Sequence, residues 1–544
     1  MLCRSSNQSR RTFLGMAGRT AAMMSVAAPA GSDAAGHQPT SDVPRRGGIL
    51  TMLVDPEPTT LVALTNSADP SMLVSAKVTE GLLSYSFDLQ PQPQLAVNWS
   101  VSADGRELAF ELRRGVRWHD GASFTSGDVA FSIGLLKRYH PRGRTTFANV
   151  IEVRTPDPHK VALVLSEPAP FLLSAFAACE SPIVPRHIYE GSEAATNRNS
   201  AAPIGTGPFV FKRWVKGSHI LYARNPDYWD GNKPYLDGLV IKFINDPAER
   251  ILAIETGSVH LAPGTPVPPN ELNRLRSRSD LVFETRGYTY TNQVVRLEFN
   301  LDHPVLGNAK VRRAIAHAMD RAAMIADAWE GYAEPAYGPI SPDLKQFCGR
   351  DLGTPDFDLV EAERLLDDAG LQRGPDRIRL RLALDYVPAG DGYRRTADWI
   401  STALAGIGIE APVRSQDFPA YIKRIYTDRD FQVTVSRMNN MFDPSVGVQR
   451  VFWSKNFQRG VPFSNGSHYA SREADDALER AAVETDPVLR REHFLRFQKA
   501  VVTDLPDVTL LVPAQITIAS RKIAGHTLTA DGAAANLATV YFQG

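Results

Sequence analysis

Leu95 to Leu136 reads LAVNWSVSADGRELAFELRRGVRWHDGASFTSGDVAFSIGLL. Val97 to Val101 and Leu108 to Leu112 alternate apolar and polar residues, the period of half-buried strands, and Asp104-Gly105 between them reads as a hairpin turn. After the turn-forming His119-Asp120-Gly121, Thr125 stands three residues before Asp128, and Val129, Phe131, Ile133 and Leu136 follow. That spacing predicts a capping box opening an apolar helix.

Farther along, the strand and helix periods alternate. Ile378 to Leu384 reads as a strand, Arg395 to Leu404 as a helix closed by Gly406, and Ile407 to Val413 as a second strand. Pro419 to Tyr426 follows as a helix and Phe431 to Ser436 as a third strand. Strand, crossover helix, strand is the rhythm of an α/β sheet, whose ligands sit beyond the carboxyl ends of the strands or between domains. The loop from Arg437 to Pro444 leaves the third strand at such an end.

A chain of 544 residues is too long for one core and predicts two or three domains. Lys+Arg and Asp+Glu balance at 60 each, so no overall field draws it to nucleic acid or anionic lipid. CxxC, HExxH, G-x-S-x-G and P-loop patterns do not occur, and Gly205-Thr206-Gly207 lacks the third glycine of a dinucleotide fingerprint. His119 and His317 are isolated, and the twelve histidines include no helical i, i+4 pair for a first-row metal. The expectation is a chain that is not an enzyme and carries no cofactor or metal.

Ser9-Arg10-Arg11-Thr12-Phe13-Leu14 matches a twin-arginine export signal, a weakly apolar stretch runs from Gly15 to Ala30, and Ala28-Pro29-Ala30 offers an A-x-A cleavage site. Beyond it there is no apolar run of about 18 residues. Cys3 has no lipobox before it. These features predict a periplasmic protein, soluble after cleavage at about residue 30, with 31–45 as a polar linker. Cys179 and Cys348 are expected as free thiols.

The order of hairpin, HDG turn and capped helix resembles bacterial extracellular solute-binding protein family 5, the peptide and nickel type binding proteins of ATP-binding-cassette importers. Further segments match in the same order: RRGGILTMLVDPEPTTL near Arg45, GTGPFVFKRWVKGSHILYARNPDYWDGNKPYLDGLVIKF from Gly205 to Phe243, LEFNLDHPVLGNAKVRRAIAHAMDRAAMI from Leu297 to Ile325, and a late block from Asp398 to Val501. The resemblance implies an α/β fold of two hinge-connected lobes, a type II periplasmic binding protein with an extra inserted domain. It divides the chain into an inner domain of lobe 1 (46–85, 204–290 and 505–540), an inserted small domain (86–203) and lobe 2 (291–504). It further implies a monomer that closes on a small organic solute, leaves it chemically unaltered and delivers it to a membrane permease with ATPase subunits. A nickel, metallophore or haem cargo is the family's alternative, for which Met438 and Met441 are soft candidate contacts.

The most informative departure from the family is Ser436-Arg437-Met438-Asn439-Asn440-Met441-Phe442-Asp443-Pro444. Many peptide-binding relatives read G-W-x-x-D-x-x-D-P, and the first Asp of that pattern takes the ligand's α-ammonium. Asn440 stands there, and an amide cannot neutralise an ammonium. Dipeptide-type relatives also grip the ligand carboxylate with an Arg in the loop corresponding to Asp385 to Tyr393, where this chain has none. Both charged anchors of a zwitterion are therefore absent from their family positions, which points to a neutral or anionic solute, a modified peptide or a sugar-like compound. The candidate ligand contacts are Asn440, Asn439, Met438, Arg437 (which can serve an anion bidentately), Phe418 as an aromatic platform, Tyr386 and Asn66.

Overall fold

The computed structural model describes residues 44–544. The twin-arginine stretch, its cleavage site, Cys3 and all but the end of the 31–45 linker lie outside the described residues.

The chain begins a first sheet with Ile49–Leu53 (β1), runs through a short helix, Asp69–Ser75 (α1), and then leaves for a separate four-stranded sheet. That sheet comprises Ala96–Val101 (β2), Glu107–Leu112 (β3), Val150–Asp157 (β4) and Lys160–Leu165 (β5), in the order β2-β3-β5-β4. The hairpin from β2 to β3 pairs Val101 with Leu108 across the Asp104-Gly105 turn, as the alternation predicts. Helix Ser126–Tyr139 (α2) opens with the expected capping box, the Thr125 amide donating to the Asp128 carboxylate at 2.9 Å.

The chain then returns to the first sheet with Phe209–Val215 (β6), His219–Arg224 (β7), Gly238–Lys242 (β8), Leu261–Ala262 (β9) and Leu281–Glu284 (β10). After β10 it crosses to a second large sheet, built from Gln293–Phe299 (β11), Ala333–Pro335 (β12), Leu384–Tyr386 (β13), Val413–Arg414 (β14), Val433–Asn439 (β15) and Asp507–Pro513 (β16). Thr517–Ser520 (β17) brings it home. The first sheet has the order β10-β17-β9-β1-β8-β7-β6 and the second β12-β16-β11-β15-β13-β14. Two sheets joined by two crossing segments, one before β11 and one after β16, make a two-lobed α/β molecule. Because β16 pairs with β11 and β12, the return crossing falls after Pro513, later than the lobe boundary at 504–505 read from the sequence.

The expected strands 378–384 and 407–413 are each split in two. Leu380–Arg381 pairs with Ile409–Glu410 as a separate ribbon, while β13 and β14 join the main sheet. Pro412, without an N–H to donate, stands where the second of these is interrupted. The helix Asp391–Gly406 (α3) and the turn of helix Phe418–Ile422 (α4), continued by a wider coil over Lys423–Asp428, follow the predicted positions. Cys179 and Cys348 are both free thiols.

One buried group at the base of lobe 1 has a measurable consequence. Glu80, fully buried, accepts from the Tyr228 hydroxyl at 2.8 Å, the Trp229 indole at 2.9 Å and the Thr206 hydroxyl at 2.9 Å. Burial outweighs these donors and raises its pKa to about 7. The folded state therefore holds a proton that the unfolded chain releases between about pH 4.5 and 7, so this group's stabilising contribution is complete below pH 4.5 and is lost as pH rises through 7. Glu80→Gln is expected to flatten the fall of the unfolding midpoint between pH 4.5 and 7; an undiminished slope would show that Glu80 is ionised throughout.

Candidate functional site

The second sheet has two unlike faces. Val433, Val435, Leu297, Val295, Val508 and Leu510 point into the apolar core of lobe 2. The alternate residues, Thr434, Ser436 and Met438 on β15 with Glu298 and Arg296 beside them on β11, form a second face that is buried yet largely polar. On it Arg296 donates to Glu298 at 2.6 Å and to Asp507 at 2.7 Å. Two carboxylates on one guanidinium leave this charged cluster dependent on its pairing.

An aromatic wall stands over the polar face. Phe418, 42% exposed at the start of α4, leads to Phe463 (ring centroids 6.4 Å apart), then Tyr426 (5.6 Å) and Tyr421 (6.5 Å), which are buried. The wall thus runs from solvent to the strand, where the Tyr421 hydroxyl meets that of Thr434 at 3.3 Å. The Tyr426 and Ser436 hydroxyls are both buried without a hydrogen-bond partner. Such groups cost free energy unless something completes them.

Lobe 1 buries charge as well. Arg142 and Glu180 form a buried ion pair, the guanidinium Nε donating to the carboxylate at 2.9 and 3.1 Å. Burial alone would raise the Glu180 pKa, but Arg142 reverses the sign and holds it below the ordinary carboxylate value. Burial lowers the neighbouring His140 to about 4, so its imidazole is neutral at pH 7. Arg450, on the short helix Gln449–Phe452 (α5) of lobe 2, lies within electrostatic reach of both Arg142 and Glu180 and of Tyr426. Burial first, and then the facing Arg142, press its pKa below the usual guanidinium value.

The lobes also meet through an aromatic stack. Tyr290, in the first crossing segment, lies between Tyr85 of lobe 1 (5.4 Å) and Phe442 of lobe 2 (4.9 Å), and its hydroxyl donates to the Ser174 carbonyl at 2.9 Å. Asn292, two residues on, fastens the loop after β15: its carbonyl accepts from the Asn440 amide at 2.7 Å and its side chain donates to the Met441 carbonyl at 3.0 Å. Met441 takes a left-handed backbone, φ 58°, which a β-carbon disfavours and these bonds hold. Gly447 packs so closely beneath that a Cβ on it would lie 2.2 Å from the Asn440 carbonyl oxygen. Asp443 completes the loop with a bidentate pair to Arg490 of the helix Pro487–Asp504 (α6), at 2.8 Å to each oxygen.

The residues singled out in the sequence fall in three places. Asn440 is fully buried beside the polar face; its Oδ1 accepts from the Ser341 amide at 2.6 Å and its Nδ2 has no partner. Met438 is buried on the same face, in the cluster that contains Tyr290 and Phe442, and Phe418 opens the aromatic wall. Arg437 and Asn439 belong to the alternate register. Burial alone would lower the Arg437 pKa, but Tyr393 of α3, Asp69 at the start of α1 and Tyr421 raise it above the usual guanidinium value. Tyr386 is buried with its hydroxyl 2.9 Å from that of Ser415. Asn66 binds the Thr59 hydroxyl at 2.8 Å and the Ala68 amide at 2.7 Å, the role of a turn residue in the loop before α1. Sequence reading missed Arg450, Tyr426, Phe463, Arg142 and Glu180. A concavity of about 670 Å³ between α3 and the Arg321–Trp329 helix, lined by Ala323, Asp327, Ala328, Phe357, Trp399 and Ala403, shares none of these residues.

The profile of the bacterial extracellular solute-binding proteins, family 5 (middle), matches residues 90–480. Protein XP55 of Streptomyces lividans is 31% identical over 446 residues, covering 80% of this chain and 79% of that protein. Di/tripeptide-binding protein 2 of Pseudomonas aeruginosa is 27% identical over 517 residues, 88% of this chain and 94% of that one. Among solved structures, the binding protein AgaA of A. tumefaciens in complex with agropinic acid superposes with a TM-score of 0.77 at 25% identity, over 91% of this chain and 99% of its own.

Proposed function

From the premise that this chain belongs to the bacterial extracellular solute-binding proteins of family 5, we propose that it is the periplasmic solute-capturing component of an ATP-binding-cassette importer. It holds an organic solute that is not a zwitterion between its lobes and passes it, unaltered, to a membrane permease whose ATPase subunits drive uptake. The observation that carries this reading is an aromatic wall on lobe 2 beside buried polar groups left without partners, on the strand whose end meets the interlobe stack of Tyr85, Tyr290 and Phe442. A ligand with an apolar body and a few polar groups completes such a site. Closure then follows from differential affinity: a solute that touches both walls binds the closed form more tightly and shifts the population toward it.

The named function of the Pseudomonas relative supports a peptide-like solute, and the agropinic acid bound by AgaA supports a wider range of organic compounds. Asn440 supports a solute without a free ammonium, because its unpartnered amide is a donor where an ammonium needs an anion. Export by the twin-arginine route and a monomeric state complete the proposal. No helix among the described residues is long and apolar enough to cross a membrane.

Mass spectrometry of small molecules released by denaturing the purified protein tests the reading. One dominant organic compound at close to one per chain is expected, with the same mass before binding and after release. A product of altered mass would contradict a carrier, and nickel or haem alone would replace the organic cargo with the family's other class.

A further inference from the structure

The concavity between α3 and the Arg321–Trp329 helix is shaped by residue size. Both helices lie over the apolar face of the second sheet, with Met324, Ile325, Ala397, Ile400 and Leu404 in its core. At one end they touch: Trp329 packs so close to α3 that a Cβ on Gly392 would lie 2.7 Å from its ring, and its indole donates to the Thr396 hydroxyl at 2.9 Å. Farther along, the groove is lined by Ala323 on one helix and by Ala403 and Gly406 on the other, and a Cβ on Gly406 would meet nothing within 4 Å. Larger side chains would interdigitate there; these leave the groove unfilled. The space of about 670 Å³ is within the range of small-molecule sites, and the α3 residues that line it, Arg395 to Gly406, span about 16 Å of helix.

Its walls are aromatic and its rim is negative. Phe357, 49% exposed, and Leu359, 42% exposed, line it together with Trp399, and apolar side chains left in solvent around a concavity mark a binding surface. The Trp399 indole donates to the Asp327 carboxylate at 3.1 Å, which holds the ring beside a carboxylate that forms no ion pair among the described residues. Asp320 and Asp398 line the same space. Arg395, the one cation of the lining, is already held by Glu330 at 2.8 Å and Asp391 at 3.2 Å. Arg394 is shared by Asp391 at 3.1 Å and Asp398 at 3.0 Å. Arg321 turns away to the Ala336 and Thr509 carbonyls, and Arg373, which reaches the Gly406 carbonyl at 3.0 Å, is paired with Glu363 at 2.6 Å. Six carboxylates thus stand against four guanidiniums. Asp356 and Asp358 on either side of Phe357, with His317 at the Asp356 carbonyl, leave the sign unchanged.

We propose that this concavity is a second binding site, separate from the solute site, for an organic cation with an apolar body. The body lies in the groove of Ala323, Ala403 and Gly406, and the ammonium sits beside the Trp399 ring and the Asp327 carboxylate. An aromatic ring and a carboxylate both attract a cation, and the ring attracts it more strongly where apolar walls strip its water. An anion meets the excess of carboxylates, and a neutral compound makes no use of them. The concavity shares no residue with the aromatic wall or the interlobe stack, so its occupancy is independent of solute capture.

The test is calorimetric titration of the purified protein at pH 7 with phenylbutylamine, phenylbutanol and phenylbutyrate, which share a body and differ in charge. The amine is expected to bind, the alcohol about tenfold more weakly and the acid more weakly still. Ala403→Leu and Gly406→Leu fill the groove, and each should weaken the amine about tenfold or more. Their unfolding midpoints should stay at or above wild type, since Gly406→Leu also removes a glycine from a helix. Both variants should keep the compound that co-purifies with the protein. Asp327→Asn, which still accepts from the Trp399 indole, should weaken the amine and leave the alcohol unchanged. Equal binding of the three probes, no binding of the amine, or amine binding untouched by both leucines overturns the assignment. A basic amphipathic peptide that binds in place of the amine, and is lost in both leucine variants, replaces the small cation by a protein segment and overturns it too. None of these outcomes bears on the carrier reading, which stands or falls with the co-purified compound.

Discussion

Asp443→Ala is expected to cost about 3 to 5 kcal/mol in urea unfolding, because it strands the buried Arg490 guanidinium. Asp443 does two jobs at once. It pairs bidentately with Arg490 on α6, and its carboxylate caps the short helix that follows by accepting from the Ser445 amide at 2.9 Å. Arg490 keeps hydrogen bonds to the Ser445 hydroxyl at 3.1 Å and the Ala481 carbonyl at 2.8 Å, together with the rings of Phe347 and Phe494 at 5.1 Å, none of which carries a formal charge. The same substitution loosens the loop that holds Asn440, so retention of the solute should fall together with stability. The double variant Asp443→Leu with Arg490→Met distinguishes charge stranding from loss of shape. It should recover much of the stability, since removing both members of a buried pair is far milder than removing one. A double variant as unstable as the single one would show that packing around α6, and not the unpaired cation, sets the cost.

Asn440→Asp should change ligand preference more than any other single substitution at the seam. In the wild type Oδ1 is fixed by the Ser341 amide, while Nδ2 faces the polar side without a partner. Aspartate replaces that donor with an oxygen and buries a negative charge unless a cation joins it. We expect the variant to be less stable than wild type when empty and to lose affinity for the solute that the wild type carries, since the buried charge replaces a hydrogen-bond donor. It should gain affinity for compounds with a free α-ammonium, such as dipeptides. Calorimetric titration with a dipeptide and with the wild-type solute checks both halves. Unchanged profiles for the two would remove Asn440 from the ligand's surroundings and return it to the role of a loop fastener, for which Asn292 and Ser341 already provide the bonds.

Much of the architecture is legible from local patterns. The β2–β3 hairpin, the capped α2 and the alternation of strands and helices from 378 to 436 all follow from period and turn chemistry, because each is decided by neighbours close in sequence. What fails locally is instructive. The breaks at 382–383 and 411–412 arise because the two halves of each expected strand pair with different partners, a matter of tertiary placement that alternation cannot register. The polar face of β15 is half visible in the sequence: Asn440 and Met438 stand out beside Asp443-Pro444, but Arg437 in the same run belongs to the opposite register, since successive residues of a strand face opposite ways. Arg450 gave no signal at all. In Val448-Gln449-Arg450-Val451 it reads as the exposed residue of an amphipathic turn, and only the tertiary fold brings it within electrostatic reach of Arg142 and Glu180, some 300 residues earlier in the chain.

The central claim is that a solute held unaltered between the lobes draws them together. Small-angle X-ray scattering on the ligand-stripped protein, with and without the compound released from it, tests this most directly. The account predicts a smaller radius of gyration on adding that compound, saturating at one molecule per chain, with the same compound recovered afterwards. An unchanged scattering curve at saturating compound, or recovery of a chemically different molecule, would contradict it.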